Sequence, residues 1–192
     1  MIEGDGRRSF RRRREAAGGT RPRHLRWSLV SGVGAAGVAV GIVATLFWPP
    51  RPVLLWNASP SSPVGLYAVI SSGPVEPGDT VIAWAPPPAR RLAAARHYLP
   101  ANVPLVKRVA AAPGDRVCAK GKTIFVNKRP AALRRVRDLS GRRMPWWSGC
   151  RLLRPDELFL LSSNTPDAFD GRYFGLTRGS EIVGKARLLW HR

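Results

Sequence analysis

The chain has 192 residues, enough for one domain with appendages, and 32 Lys and Arg against 12 Asp and Glu give a formal net charge of +20. Its two cysteines and three histidines form no cluster at zinc-site spacing, so a zinc-built fold is excluded and no metal or other cofactor is expected.

The charge is unevenly placed. Residues 1–26 hold Arg7, Arg8, Arg11, Arg12, Arg13, Arg14, Arg21, Arg23 and Arg26, opposed only by Glu3, Asp5 and Glu15. With so few apolar residues this arm cannot bury enough surface to offset its ordering entropy, and it is read as disordered. Such an arm suits either nucleic acid or the flank of a membrane anchor. The next segment decides for the anchor. No charge occurs from Trp27 to Pro50, and Trp27–Trp48 is long enough to cross a hydrocarbon core of about 30 Å with a tryptophan at each end. A cleaved signal peptide would have a shorter apolar run and a small-residue cleavage site, whereas here Trp48-Pro49-Pro50-Arg51-Pro52 follows. Residues 27–48 are therefore expected as a transmembrane signal anchor. The positive-inside rule keeps the arm cytoplasmic and places residues 49–192 in the periplasm of a bacterial inner membrane. Membrane lipid is an expected partner and nucleic acid is not.

Pro49, Pro50 and Pro52 make a stiff connector, and beyond it short strands separated by turn signals are predicted. Val64–Ile70 is closed by Ser71-Ser72-Gly73-Pro74, and Thr80–Ala85 is entered from Pro77-Gly78-Asp79. Val103–Ala111 is longer and largely apolar, and Arg116–Ala119 and Thr123–Val126 flank a Lys120-Gly121-Lys122 turn. Glu157–Leu161 and Glu181–Trp190 are the late strands. One helix is predicted over Pro88–Tyr98, with proline at its start and Ala93, Ala94 and Ala95 inside. The arginine-rich stretch around 134–154 is expected as an exposed insertion, with Trp146 and Trp147 packed against the body. The sum is a mainly β domain with one small helix, preceded by a single transmembrane helix.

Two segments carry chemistry. In Ser61-Ser62-Pro63-Val64-Gly65-Leu66-Tyr67, Pro63 restrains the backbone of Ser62 and Gly65 permits close approach of another strand. Such a loop can hold a hydroxyl nucleophile beside donors for an oxyanion. Ser59, Ser61 and Ser62 all qualify, and a simple polar turn is the alternative. In Leu105-Val106-Lys107-Arg108-Val109, alternation sets Leu105, Lys107 and Val109 on one face. A buried lysine sheds its proton more easily and becomes a general base, which arginine cannot. A lysine on an edge strand would instead reach out to water. His24 falls in the arm and His191 is penultimate, so neither suits a histidine triad; His97, in the arginine-rich helix, stays open. Asp170 and Arg172, two apart, can form a bidentate pair that supports a turn. Cys118 and Cys150 both fall in the exported part, where an oxidising compartment permits a bridge; two buried thiols are the alternative.

Taken in order, Ser61-x-Pro63-x-Gly65-x-Tyr67, then Lys107-Arg108-Val109 with Pro113-Gly114-Asp115, then Phe169-Asp170-Gly171-Arg172-Tyr173-Phe174-Gly175, resemble the serine–lysine signal peptidases of the type I leader-peptidase superfamily. The likeness is greatest to the TraF-type branch of conjugative transfer systems and covers roughly residues 27–190. The resemblance implies a signal-peptidase-like β-rich catalytic domain, with Ser61 as nucleophile, Lys107 as general base, and the Ser61 N–H and Ser59 hydroxyl as oxyanion donors. It implies an exported precursor as substrate, a pilin precursor in this branch, released by water or, in some members, closed into a ring. The sequence departs from the family at Ala168, where many members carry a serine that bonds the lysine; either Ser162 or Ser163 supplies that contact, with Ser162 preferred, or packing alone orients the lysine. A general type I signal peptidase shares the same residues. A non-catalytic membrane component of a secretion or DNA-transfer channel would explain the charge alone. A self-cleaving repressor-like protease would need a DNA-binding domain where this chain has its apolar span.

Overall fold

The computed structural model describes residues 33–44, 54–70, 73–162, 165 and 167–192. The chain divides into two units, Met1–Pro50 and Arg51–Arg192. In the first, residues 33–44 form an exposed helix, α1. The expected arm 1–26 and most of the expected span 27–48 lie outside the described residues, among which no helix is long and apolar enough to cross a membrane.

The second unit is mainly β. Its strands are β1 (Leu54–Asn57), β2 (Gly65–Ile70), β3 (Thr80–Ala83), β4 (Leu105–Ala111), β5 (Arg116–Lys120), β6 (Thr123–Val126), β7 (Arg129–Leu133), β8 (Gly149–Leu152), β9 (Glu157–Leu161), β10 (Thr177–Arg178) and β11 (Ile182–His191). Helix α2 (Pro87–Ala95) and the single turn α3 (Gly171–Phe174) interrupt them. Every pairing is antiparallel. A seven-stranded sheet runs β1-β2-β11-β3-β4-β9-β10, and a four-stranded sheet runs β7-β6-β5-β8.

Three apolar clusters hold the unit together. Ala111, Val117, Ala119, Ile124, Leu153, Phe159 and Leu161 join the small sheet to β4 and β9. Val81, Ala83, Val109, Leu158 and Leu160 fill one face of the large sheet, and Tyr67, Ile82 and Val106 fill the other. Because both faces of β3 and β4 are covered, these strands read as near-continuous apolar runs. The Pro113-Gly114-Asp115 turn is built by Asp115, whose Oδ2 accepts the Ala112 N–H at 2.8 Å and whose Oδ1 accepts from Asn127 Nδ2 at 2.7 Å. Gly114 takes φ +90°, the left-handed region that suits glycine. Cys118 and Cys150, directly opposed on β5 and β8, are joined by a disulfide.

Element boundaries moved where backbone geometry outweighed propensity. The helix ends at Ala95 rather than Tyr98, because His97 takes φ 58° and the chain turns away. The strand expected from Val103 begins at Leu105, where pairing with β3 starts. Strands β1, β7, β8 and β10 carry no strong sequence signal. Contrary to expectation, the insertion around 134–154 is not uniformly exposed. Arg134 is buried, donating to Gly121 O and Trp147 O with its guanidinium over the Trp146 ring. Trp147 packs edge-on to Phe159.

Candidate active site

Lys107 sits in the interior of the large sheet, opposite Val81 on β3, with β9 on the other side of its strand. It is 2% exposed, so the route to water open to an edge-strand lysine is closed. Burial is the main cause that lowers its amine to a pKa of about 8; nearby Asp170 works against that shift and Arg172 adds to it. The amine therefore loses its proton within reach of neutral pH. Its Nζ lies 2.8 Å from Ser61 Oγ and 2.7 Å from Ser162 Oγ.

The serine loop between β1 and β2 is held from beneath by Asn57, the last residue of β1. Its Nδ2 donates to the carbonyl oxygens of Ser59, Ser62 and Pro63 at 2.9, 3.1 and 3.0 Å, while Oδ1 accepts the Ser59 N–H at 3.2 Å. The Pro63 carbonyl accepts a second bond from the Tyr67 hydroxyl at 2.8 Å. A Cβ on Gly65 would collide with the Trp190 carbonyl oxygen, so β11 can close on β2 only against glycine. The Pro63, Gly65 and Tyr67 positions of the first motif thus each fix the loop.

The three serines separate by their partners. Ser62 donates its hydroxyl to the Val106 carbonyl at 2.8 Å, tying the loop to β4. Ser61 meets Lys107. The Ser59 hydroxyl donates to Ser61 Oγ at 3.0 Å and accepts the Ser61 N–H at 3.3 Å, so the two expected oxyanion donors lie together beside Ser61 Oγ. Among the described contacts, no hydrogen bond joins the His97 side chain to a serine.

Behind Lys107, Asp170 and Arg172 form a buried bidentate pair, with Nε–Oδ1 at 2.8 Å and Nη2–Oδ2 at 3.0 Å. The pair grips the Ser162 backbone from both sides. Asp170 Oδ2 accepts the Ser162 N–H at 2.8 Å, and Arg172 Nη2 donates to the Ser162 carbonyl at 3.1 Å. Of the two expected lysine contacts, Ser162 meets Nζ and Ser163 lies outside the described residues. Asn57 and its clamp were missed by sequence reasoning. An asparagine four residues before a Ser-x-Pro is a common turn residue, and only the fold reveals three carbonyls converging on it.

The serine and lysine open into a cleft of about 580 Å³. One wall is Asn57, Ser59, Pro60 and the start of β4; another is the chain after α2, through Tyr98 and Leu99. Residues 135–144, with Ala168, Phe169 and Tyr173, complete it. Among the described residues no group of His, Cys, Asp and Glu could hold a metal ion.

The chain matches the family model "Signal peptidase, peptidase S26" over residues 26–191 and belongs to this family. Within the family it is TraF-like. It is 34% identical over 147 residues to the plasmid transfer protein TraF of Escherichia coli, covering 70% of this chain and 82% of that one. It is 33% identical over 141 residues to the probable conjugal transfer protein TraF of Sinorhizobium fredii, covering 68% and 73%. A solved signal peptidase I from Enterococcus faecalis aligns with 60% of this chain and 98% of its own at 18% identity, with a TM-score of 0.34.

Proposed function

We propose that the chain is a membrane-anchored serine endopeptidase that processes an exported precursor through Ser61 and Lys107. The observation that carries this reading is the 2.8 Å approach of Lys107 Nζ to Ser61 Oγ inside an open cleft, with the lysine buried and its pKa lowered to about 8. Neutral Lys107 takes the Ser61 proton as Oγ bonds to the substrate carbonyl carbon. The oxyanion turns to the Ser61 N–H and the Ser59 hydroxyl. Lys107 then returns the proton to the departing amine as the peptide C–N bond breaks. Water, activated by the same amine, frees the acyl group.

The names of the relatives support a role in conjugative transfer, and a pilin precursor as substrate is what the resemblance of the three motifs to the TraF-type branch implies. Anchoring by residues 27–48, with residues 49–192 in the periplasm, rests on the charge and hydropathy pattern. Leu54 and Trp56 on β1 and Leu189 and Trp190 on β11, the two strands that flank β2, are exposed, and Trp56 packs against Trp190, an apolar patch suited to a bilayer surface.

The test incubates the detergent-solubilised full chain with a pilin precursor and with an ordinary exported preprotein, reading products by mass. Cleavage of the pilin precursor is expected, and a product lighter by one water than the linear form would reveal ring closure. Cleavage of the ordinary preprotein instead would indicate a general signal peptidase. Cleavage of neither would favour a non-catalytic channel component.

A further inference from the structure

We propose that the cleft selects a precursor segment carrying an acidic side chain beside the bond to be cut, an inference that rests on the peptidase reading. Besides Ser61 and Lys107, the cleft is lined by Arg96, Arg135, Arg137 and Arg142, while its lining carboxylates are Asp138 and Asp167. Both carboxylates are already engaged. Asp167 pairs with Arg135 Nε at 2.6 Å. Asp138 is bonded by the Tyr98 hydroxyl, by Arg142 Nε at 2.7 Å and by the N–H groups of Ser140 and Arg142, with Arg96 at 3.9 Å. Arg137 donates to the Gly141 carbonyl and faces no carboxylate among the described contacts. Four guanidiniums against two carboxylates leave the cleft positive before the dyad is counted.

Surface arginines on a basic protein are usually a solvated face. These differ in being held. Residues 136–144 form a closed hairpin: Arg137 bridges Arg143, Asp138 N–H donates to Arg142 O at 2.9 Å, and Met144 N–H donates to Val136 O at 2.9 Å. Arg142 lies over the Tyr98 ring, Arg96 is fixed to the Arg143 carbonyl, and the Arg135 N–H is fixed to the Tyr173 hydroxyl. Guanidiniums placed in advance lose less entropy when they meet a carboxylate. A bound segment with glutamate or aspartate there gains two-pronged hydrogen bonds, whereas lysine in the same place meets like charge.

The experiment uses peptides spanning one precursor boundary, with glutamine, glutamate or lysine placed in turn at each position flanking the cut. Binding to the full-length Ser61→Ala protein is read by fluorescence anisotropy, and cleavage by the unmodified protein is read in parallel. At one or more positions the glutamate peptide should bind about threefold to tenfold tighter than its glutamine counterpart at low salt, as expected for one or two partly exposed ion pairs. The advantage should shrink as salt rises. Arg137→Glu should abolish or invert the preference. Arg129→Glu, the same charge change on exposed β7 outside the cleft, should leave the preference intact.

Equal binding of glutamate and glutamine peptides at every position overturns the inference, as does a preference lost equally in both variants, which would reduce it to attraction by the net charge. Selective binding of acidic peptides with no cleavage of any of them would sink the peptidase reading and leave the acidic selection standing. Cleavage without acidic preference would do the reverse.

Discussion

Lys107 Nζ and Ser162 Oγ meet at 2.7 Å, and an ion pair eight and ten residues further along the chain holds the serine for that meeting. Asp170 and Arg172 take the N–H and the carbonyl of Ser162, so the backbone that carries its hydroxyl is held in place. Ser162→Ala should leave the fold intact and release the lysine from one of its two hydroxyl partners. A fall in kcat of about tenfold to a hundredfold, with KM little changed, is expected from loss of the hydrogen-bond acceptor that positions the amine. Steady-state kinetics on a peptide substrate check this, and an unchanged kcat would show that packing alone orients the amine.

In the proposed reaction the working form of Lys107 is the neutral amine, and burial brings its pKa to about 8. Activity should therefore rise roughly tenfold per pH unit below 8 and level off above it. A pH profile of kcat/KM gives the acid limb. A limb near 10 would mean that the amine behaves as an ordinary exposed lysine.

Stability should follow the same group. The amine titrates near 8 when folded against 10.5 when free, so between these values the unfolded chain binds more protons and stability rises with pH. At pH 7 the buried charge costs about 3 kcal/mol relative to the high-pH limit, from a shift of about two and a half units. Lys107→Met removes that cost and loses two hydrogen bonds worth about 1 kcal/mol each. The variant should be inactive yet about 1 kcal/mol more stable at pH 7, and less stable than the parent near pH 10.5. Urea denaturation at the two pH values checks the change of sign.

Asn57 touches no substrate in the proposed reaction, yet three loop carbonyls depend on its amide. Asn57→Ala should cost about 1–3 kcal/mol in stability through unpaired buried carbonyls. It should also cost on the order of a hundredfold in kcat, because the serine loop moves relative to the lysine. Asn57→Asp should be worse than alanine, since it faces the same carbonyls with negative charge. Melting curves and kcat measured on both variants test the order.

Much of this arrangement could be read before any fold was known. Lys107 stood out as the one lysine in a largely apolar strand leading to Pro113-Gly114-Asp115, and proline and glycine at 63 and 65 marked a constrained serine loop. What stayed hidden depends on distant pairing. Which of Ser59, Ser61 and Ser62 faces the lysine is set by β4, whose Val106 carbonyl takes the Ser62 hydroxyl while Lys107 Nζ meets Ser61 Oγ. The edge strand β1 is four residues long and half exposed, too brief for a periodic signal. The arginine-rich stretch looked like a solvated insertion because composition cannot show that Asp138 and Tyr98, forty positions apart, tie it into the cleft wall.

The most direct measurement of the central claim is a trapped acyl-enzyme. The full chain is mixed with a slow ester substrate, quenched in acid, digested and mapped by mass. An acyl adduct on Ser61, absent in Lys107→Met, is the expected result. An adduct on Ser59 or Ser62, or an equal adduct in Lys107→Met, would contradict the serine–lysine pairing.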